Sequence, residues 1–183
     1  MRLLIAAITA AQLAGCASTH PPKVTPAEIA TKYGGVRTIE DGLVVTRYPD
    51  GSGSVSATDD ILQDRWSISC GVDAMTDKRD CSFHNQIGGL FVHFGQSKTP
   101  REVCAFGHDF PGRTAQIRVD NNSPVSTDRE GCVPASRLIG QLKVGSTVVV
   151  RYYDWPYDYP RDKSSSLAGF SKTLQVIDET LSR

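Results

Sequence analysis

The chain lacks what would draw it to nucleic acid or hold it in a bilayer by a helix of its own. Its 20 Lys and Arg balance 20 Asp and Glu, and no basic cluster tracks a phosphate backbone, which excludes nucleic acid as a partner. Long hydrophobic runs are missing too. The longest, Leu3 to Leu13, is eleven residues broken by Thr9 and Gln12, whereas a membrane-crossing helix needs about 20 apolar residues. There is no Gly-x-Ser-x-Gly elbow, no His-Glu-x-x-His and no phosphate-cradling glycine loop. Cysteine pairs at Cys-x-x-Cys or zinc-finger spacing are absent as well, which argues against thiol redox chemistry and a zinc site. Histidine is scarce, and of His84, His93 and His108 only His108, next to Asp109 and between Phe106 and Phe110, has a local partner able to tune an imidazole. Nothing in the residues calls for a cofactor or metal. With 183 residues and 39% apolar content, the chain suits one globular domain plus short extensions.

The N-terminus carries a different signal. Arg2, the apolar Leu3 to Ala11 and the small residues after them have the layout of a secretory signal. The tetrad Leu13-Ala14-Gly15-Cys16 resembles the lipobox of bacterial lipoproteins, in which the cysteine is diacylated and becomes the new N-terminus. Each buried methylene adds about 0.8 kcal/mol, so two or more acyl chains anchor stably where one does not. An ordinary signal peptide cut near Ala17 is the rival reading and would discard Cys16. The resemblance implies a lipid anchor at Cys16, and Ala17 in place of aspartate implies sorting to the outer membrane, facing the periplasm. Residues 1–15 then form the signal peptide, 16–35 a lipidated tether with a short helix, and 36–183 the folded domain.

The other four cysteines, Cys70, Cys81, Cys104 and Cys132, are an even set in an exported chain, the composition of a disulfide framework. Of the three possible pairings, Cys70–Cys81 with Cys104–Cys132 closes the shortest loops and staples neighbouring strands.

Thr25-Pro26-Ala27-Glu28 has the form of a capping box with proline at the first helical position, and Gly34-Gly35 supplies a stop, predicting a helix over Pro26 to Tyr33. From Val36 onward, short period-two segments separated by turn residues read as strands. "GLVVTRY" ends at the turn Pro49-Asp50-Gly51. Trp66, Ile68 and Cys70 share one face; so do Leu90, Val92 and Phe94; and so do Ala115, Ile117 and Val119. "STVVVRYY" continues the theme, and Gly88-Gly89 marks a turn or bulge. Two helical segments interrupt: Pro134 to Leu142, and a C-terminal amphipathic stripe of Leu167, Phe170, Leu174, Ile177 and Leu181, with Ser166 or Ser171 as its N-cap. The fold expected is all-β, an antiparallel sandwich or partly closed barrel with helical trimmings.

In order, the chain shows Trp66-Ser67-Ile68-Ser69-Cys70, Cys81, Cys104, Cys132, "QLKVGSTVVVRY" and "SLAGFSKTL". That order resembles the invasion-associated locus B family of exported bacterial proteins, over roughly Asp64 to Leu174. The resemblance implies a compact β-sandwich in the periplasm or at the outer membrane, with no catalytic residues attached. The lipobox and the segment from 17 to 63 depart from the family pattern.

"RYYDWPYDYPRD", Arg151 to Asp162, packs four tyrosines and a tryptophan into twelve residues. Tyrosine, tryptophan and arginine dominate interface hot spots because they bury large areas with few rotatable bonds. Tyr152, Tyr153, Trp155, Tyr157 and Tyr159 are therefore the candidate binding residues, with exposure expected from Trp155 to Tyr159, where the prolines oppose a buried strand. The function expected is non-catalytic contact with another envelope protein. The alternative is a small-molecule or glycan binder stacking its ligand on the same rings, with a cryptic hydrolase as its extreme form.

Overall fold

The computed structural model describes residues 25–58, 64–85 and 87–182, so the expected signal peptide, Cys16 and the first part of the expected tether, residues 16–24, lie outside the described residues. The chain runs α1 (Pro26–Lys32), β1 (Val36–Glu40), β2 (Leu43–Arg47), β3 (Gly53–Ser56), β4 (Arg65–Val72), β5 (Arg79–Asn85), β6 (Leu90–Gly95), β7 (Glu102–Ala105), β8 (Gln116–Val119), β9 (Val125–Ser126), β10 (Cys132–Pro134), a 3-10 turn (Ala135–Arg137), α2 (Ile139–Val144), β11 (Thr147–Tyr152), β12 (Arg161–Ser166) and α3 (Phe170–Leu181). The strands form two antiparallel sheets, one of eight in the order β1-β2-β3-β4-β5-β6-β7-β10 and one of four in the order β12-β11-β8-β9. Neither closes on itself; the fold is a β-sandwich.

Local chemistry explains the joints. The Thr25 hydroxyl accepts the Glu28 N–H while the Glu28 carboxylate accepts the Thr25 N–H, completing the expected capping box of α1. Asp41 and Gly42, both at positive φ, form the two-residue turn that β1 and β2 require. At the Pro49-Asp50-Gly51 turn the Asp50 carboxylate accepts the Ser52 N–H at 2.8 Å. Both disulfides have the expected pairing and join residues directly opposite in register, Cys70 to Cys81 and Cys104 to Cys132. Two disulfides place this domain in an oxidising, extracytoplasmic compartment.

The inner faces follow the period-two reading. Trp66 and Ile68 on β4, Leu90, Val92 and Phe94 on β6, Ile117 and Val119 on β8, and Val148 and Val150 on β11 are all buried. The small sheet covers one end of the large sheet, while α3 lies across β3, β4 and β5. Phe170 of α3 meets Trp66 edge-on at 5.3 Å and Phe83 at 5.4 Å, an arrangement that aligns ring edges with ring faces.

Three sequence expectations need correction. The C-terminal helix starts neither at Ser166 nor at Ser171; its N-cap is Gly169, left-handed at φ 82°. A Cβ there would sit 3.1 Å from Val55 Cγ1, so close packing on β3 selects glycine over a capping side chain. Its buried face is Phe170, Thr173, Val176 and Ile177, with Leu174 and Leu181 half-buried, because the helix rolls Lys172 and Glu179 toward charges on β1 and β2. Second, Pro134 to Leu142 is not one helix. Pro134 ends β10, a 3-10 turn follows, and α2 begins only at Ile139. Third, Arg161 and Asp162, read as the end of the aromatic stretch, open β12, whose polar side chains hide its pairing with β11.

Candidate functional site

The aromatic stretch becomes a loop, residues 153–160, between β11 and β12, and it lies against a second loop, residues 106–115, between β7 and β8. Backbone and side-chain bonds join the two. His108 is buried; its Nδ1 accepts the Tyr153 N–H at 3.2 Å and its Nε2 faces the Arg113 carbonyl at 3.3 Å. A backbone N–H can only donate, so Nδ1 is the accepting nitrogen and Nε2 is the one placed to donate. The Tyr153 carbonyl accepts the N–H groups of Asp109 and Phe110 at 3.1 and 3.3 Å. The Asp109 carboxylate accepts the Trp155 N–H at 2.7 Å. Arg113 grips Asp158 through two hydrogen bonds of 2.7 Å and holds the Asp158 carboxyl below the ordinary carboxylate range.

The rings sit on this clamp. Phe110 packs on Trp155 at 5.3 Å and Tyr157 on Tyr159 at 5.7 Å. The Arg161 guanidinium lies over both tyrosines, at 5.5 and 5.3 Å, donates to the Tyr159 hydroxyl at 3.0 Å and pairs with Asp154 at 3.0 Å. Trp155, Tyr157 and Tyr159 nevertheless stay 61%, 50% and 49% exposed. The geometry is a ridge of aromatic side chains in water on a backbone that is fixed in place.

The five candidate residues therefore divide. Trp155, Tyr157 and Tyr159 form the ridge. Tyr152 does not belong to it: it is buried in the core, under the Lys163 ammonium at 4.8 Å, because it continues the inward alternation of Val148 and Val150. Tyr153 is half-buried and serves through its backbone, with Arg113 over its ring at 5.4 Å. The supports Phe110, Arg113, Asp158 and Arg161 were missed from sequence; the density of Asp and Arg among the rings was their only signal. His108 and Asp109, whose adjacency in sequence is the one local pairing able to tune an imidazole, aim instead at backbone groups of the neighbouring loop.

Other chemistry-bearing groups are spread over the described surface. His84 stacks on Phe106 at 5.4 Å, and burial together with the charge of Arg65 holds its pKa below the usual imidazole value. His93 lies 3.4 Å from Asp80. Glu102, Cys104 and Cys132 bring potential metal-ligand atoms within 4.8 Å of one another, but both sulfurs are committed to the disulfide. Two open grooves, of about 470 Å³ beside Tyr33, Tyr48 and Pro49 and about 400 Å³ beside Leu43, Leu167 and Gly169, are lined by residues other than the ridge.

No family model, curated protein or solved structure matches this chain.

Proposed function

We propose that this protein is a lipid-anchored, non-catalytic interaction module of the bacterial envelope, held in the outer membrane through Cys16 and meeting another envelope protein with Trp155, Tyr157 and Tyr159. The observation that carries the reading is the combination of exposed rings with a backbone tied by His108, Asp109 and Arg113. Rings already fixed before contact lose little conformational freedom on binding, so more of their burial appears as affinity. The two disulfides support the envelope location, and the Leu-Ala-Gly-Cys tetrad supports the anchor. Kinship with the invasion-associated locus B family is part of the proposal and rests on the order of Trp66, the four paired cysteines and the Ser166-to-Leu174 segment. Stacking of a glycan on the same rings is the second reading; it is favoured by the adjacent Tyr157 and Tyr159 rings with Arg161 and Asp154 beside them.

The test is quantitative co-purification. The mature protein and a Trp155→Ala/Tyr157→Ala/Tyr159→Ala variant are isolated from mildly solubilised envelopes, with near-UV circular dichroism as the folding control. A defined envelope protein enriched by the wild type and reduced at least tenfold by the variant is the expected result. Identical co-purifying sets would overturn the protein-partner reading, and loss of a bound saccharide instead would favour the glycan.

A further inference from the structure

At the opposite edge of the large sheet stands an apolar surface that the ridge does not explain. Tyr33, at the C-cap of α1, is 65% exposed, and Val36 and Ile39 on β1 are 63% and 79% exposed. Single exposed apolar side chains are ordinary; three within seven residues, running from a helix end into an edge strand, are not. Among the described residues β1 is paired on one side only, with β2. Natural edge strands guard such a position with outward charge; of the two charged residues of β1, Glu40 pairs with Arg47 and Lys172 and Arg37 is half-buried, while Val36 and Ile39 are the exposed positions. Val36 and Ile39 alternate to opposite faces of the strand and so flank its outer edge on both sides.

We propose that the β1 edge is the face this protein lays against a lipid surface. The inference rests on the lipid anchor at Cys16. Eight residues lie between Cys16 and Thr25, nine Cα-to-Cα steps that span at most about 31 Å even when fully extended, and α1 and β1 are the first described elements beyond them. Tyr33 supplies the amphipathic ring favoured where hydrocarbon gives way to headgroups, and Val36 and Ile39 supply apolar area beside it. The orientation has a consequence for the ridge. The loop of residues 106–115 that supports it leaves the sheet at β7, six strand spacings from β1, or about 29 Å at ~4.8 Å each. With the β1 edge on the bilayer, Trp155, Tyr157 and Tyr159 sit far from it, free for a partner.

The experiment uses the full mature lipoprotein, reconstituted in vesicles of phosphatidylethanolamine and phosphatidylglycerol, with an environment-sensitive fluorophore on Ile39→Cys or, separately, on Tyr157→Cys. Flotation reports anchoring, and quenching by spin-labelled lipid reports contact. The expected result is flotation of both proteins, with at least twofold stronger quenching at position 39 than at 157. Flotation with equal quenching, or with none at 39, would overturn the docking face while leaving the anchor intact. Failure to float would remove the anchor and the docking face together. A dimer cross-linked through position 39 in solution would name a second copy as the occupant and also overturn the proposal.

Discussion

Gly169 shows how one residue fixes the seat of a helix. It adopts φ 82°, and the carbonyl of the residue before it, Ala168, accepts the Trp66 indole N–H at 2.9 Å. Gly169→Ala imposes a left-handed conformation on a residue with a Cβ, at about 1–2 kcal/mol, and presses on Val55. Urea denaturation should show a lower midpoint with an unchanged slope; an unchanged midpoint would mean that α3 can reseat. Arg47 ties the same helix down from the other side by pairing with Glu40 and Glu179. Its hydrogen bond to Glu40, followed by that of Thr38, pulls the Glu40 carboxyl down to about 2. A depressed carboxyl contributes stability above its unfolded pKa, near 4.3, and that contribution disappears as pH falls through about 2. Between pH 5 and pH 2 the wild-type urea midpoint should therefore fall further than that of Arg47→Met. Parallel falls would show that the pair adds nothing. The pattern of Trp66, Ile68 and Cys70 was legible in the sequence because burial repeats every second residue. The Gly169 turn was not, because a serine on either side offered a better helix cap.

Elements were legible where local chemistry is self-contained. α1 declares itself in four residues of capping box, and the strands with an inward apolar face declare themselves by alternation. β12 stayed hidden because its sequence, RDKSSS, is polar at every position; only its register with β11 makes it a strand. The aromatic loop was legible as unusual, but its partner loop was not, since nothing in residues 106–115 announces that His108, Asp109 and Arg113 answer residues 45 or 46 positions away. The loop clamp makes its own prediction. Arg113→Ala removes both bonds to Asp158, so the amide of Tyr157 and its neighbours should exchange hydrogen faster while global unfolding stays unmoved, as for a solvent-exposed ion pair. Unchanged exchange would mean that the backbone bonds alone hold the ridge. Replacing both Cys104 and Cys132 by serine frees β10 at the sheet edge and should cost about 2–5 kcal/mol, read as a lower melting temperature.

For the whole molecule, four cysteines pair to hold the fold, and the fifth, Cys16, is assigned to lipid in the proposed division of roles. Cys16→Ser should release the protein from the membrane fraction with its disulfides and near-UV signal intact; loss of the folded domain in that variant would contradict the division. The sandwich itself was legible from strand count and turn spacing. Its layout was not, because the separation of the β1 edge from the ridge depends on strand order, which alternation does not encode. In the proposed account that separation makes two working ends, one toward lipid and one toward a partner. The most direct test of the partner end is photo-crosslinking in living cells from a reactive group placed at position 155, with position 143 on α2 as the control. A discrete protein adduct at 155 and none at 143 is the predicted result. No adduct, or equal adducts at both positions, would contradict the claim that the aromatic ridge is a protein-binding surface.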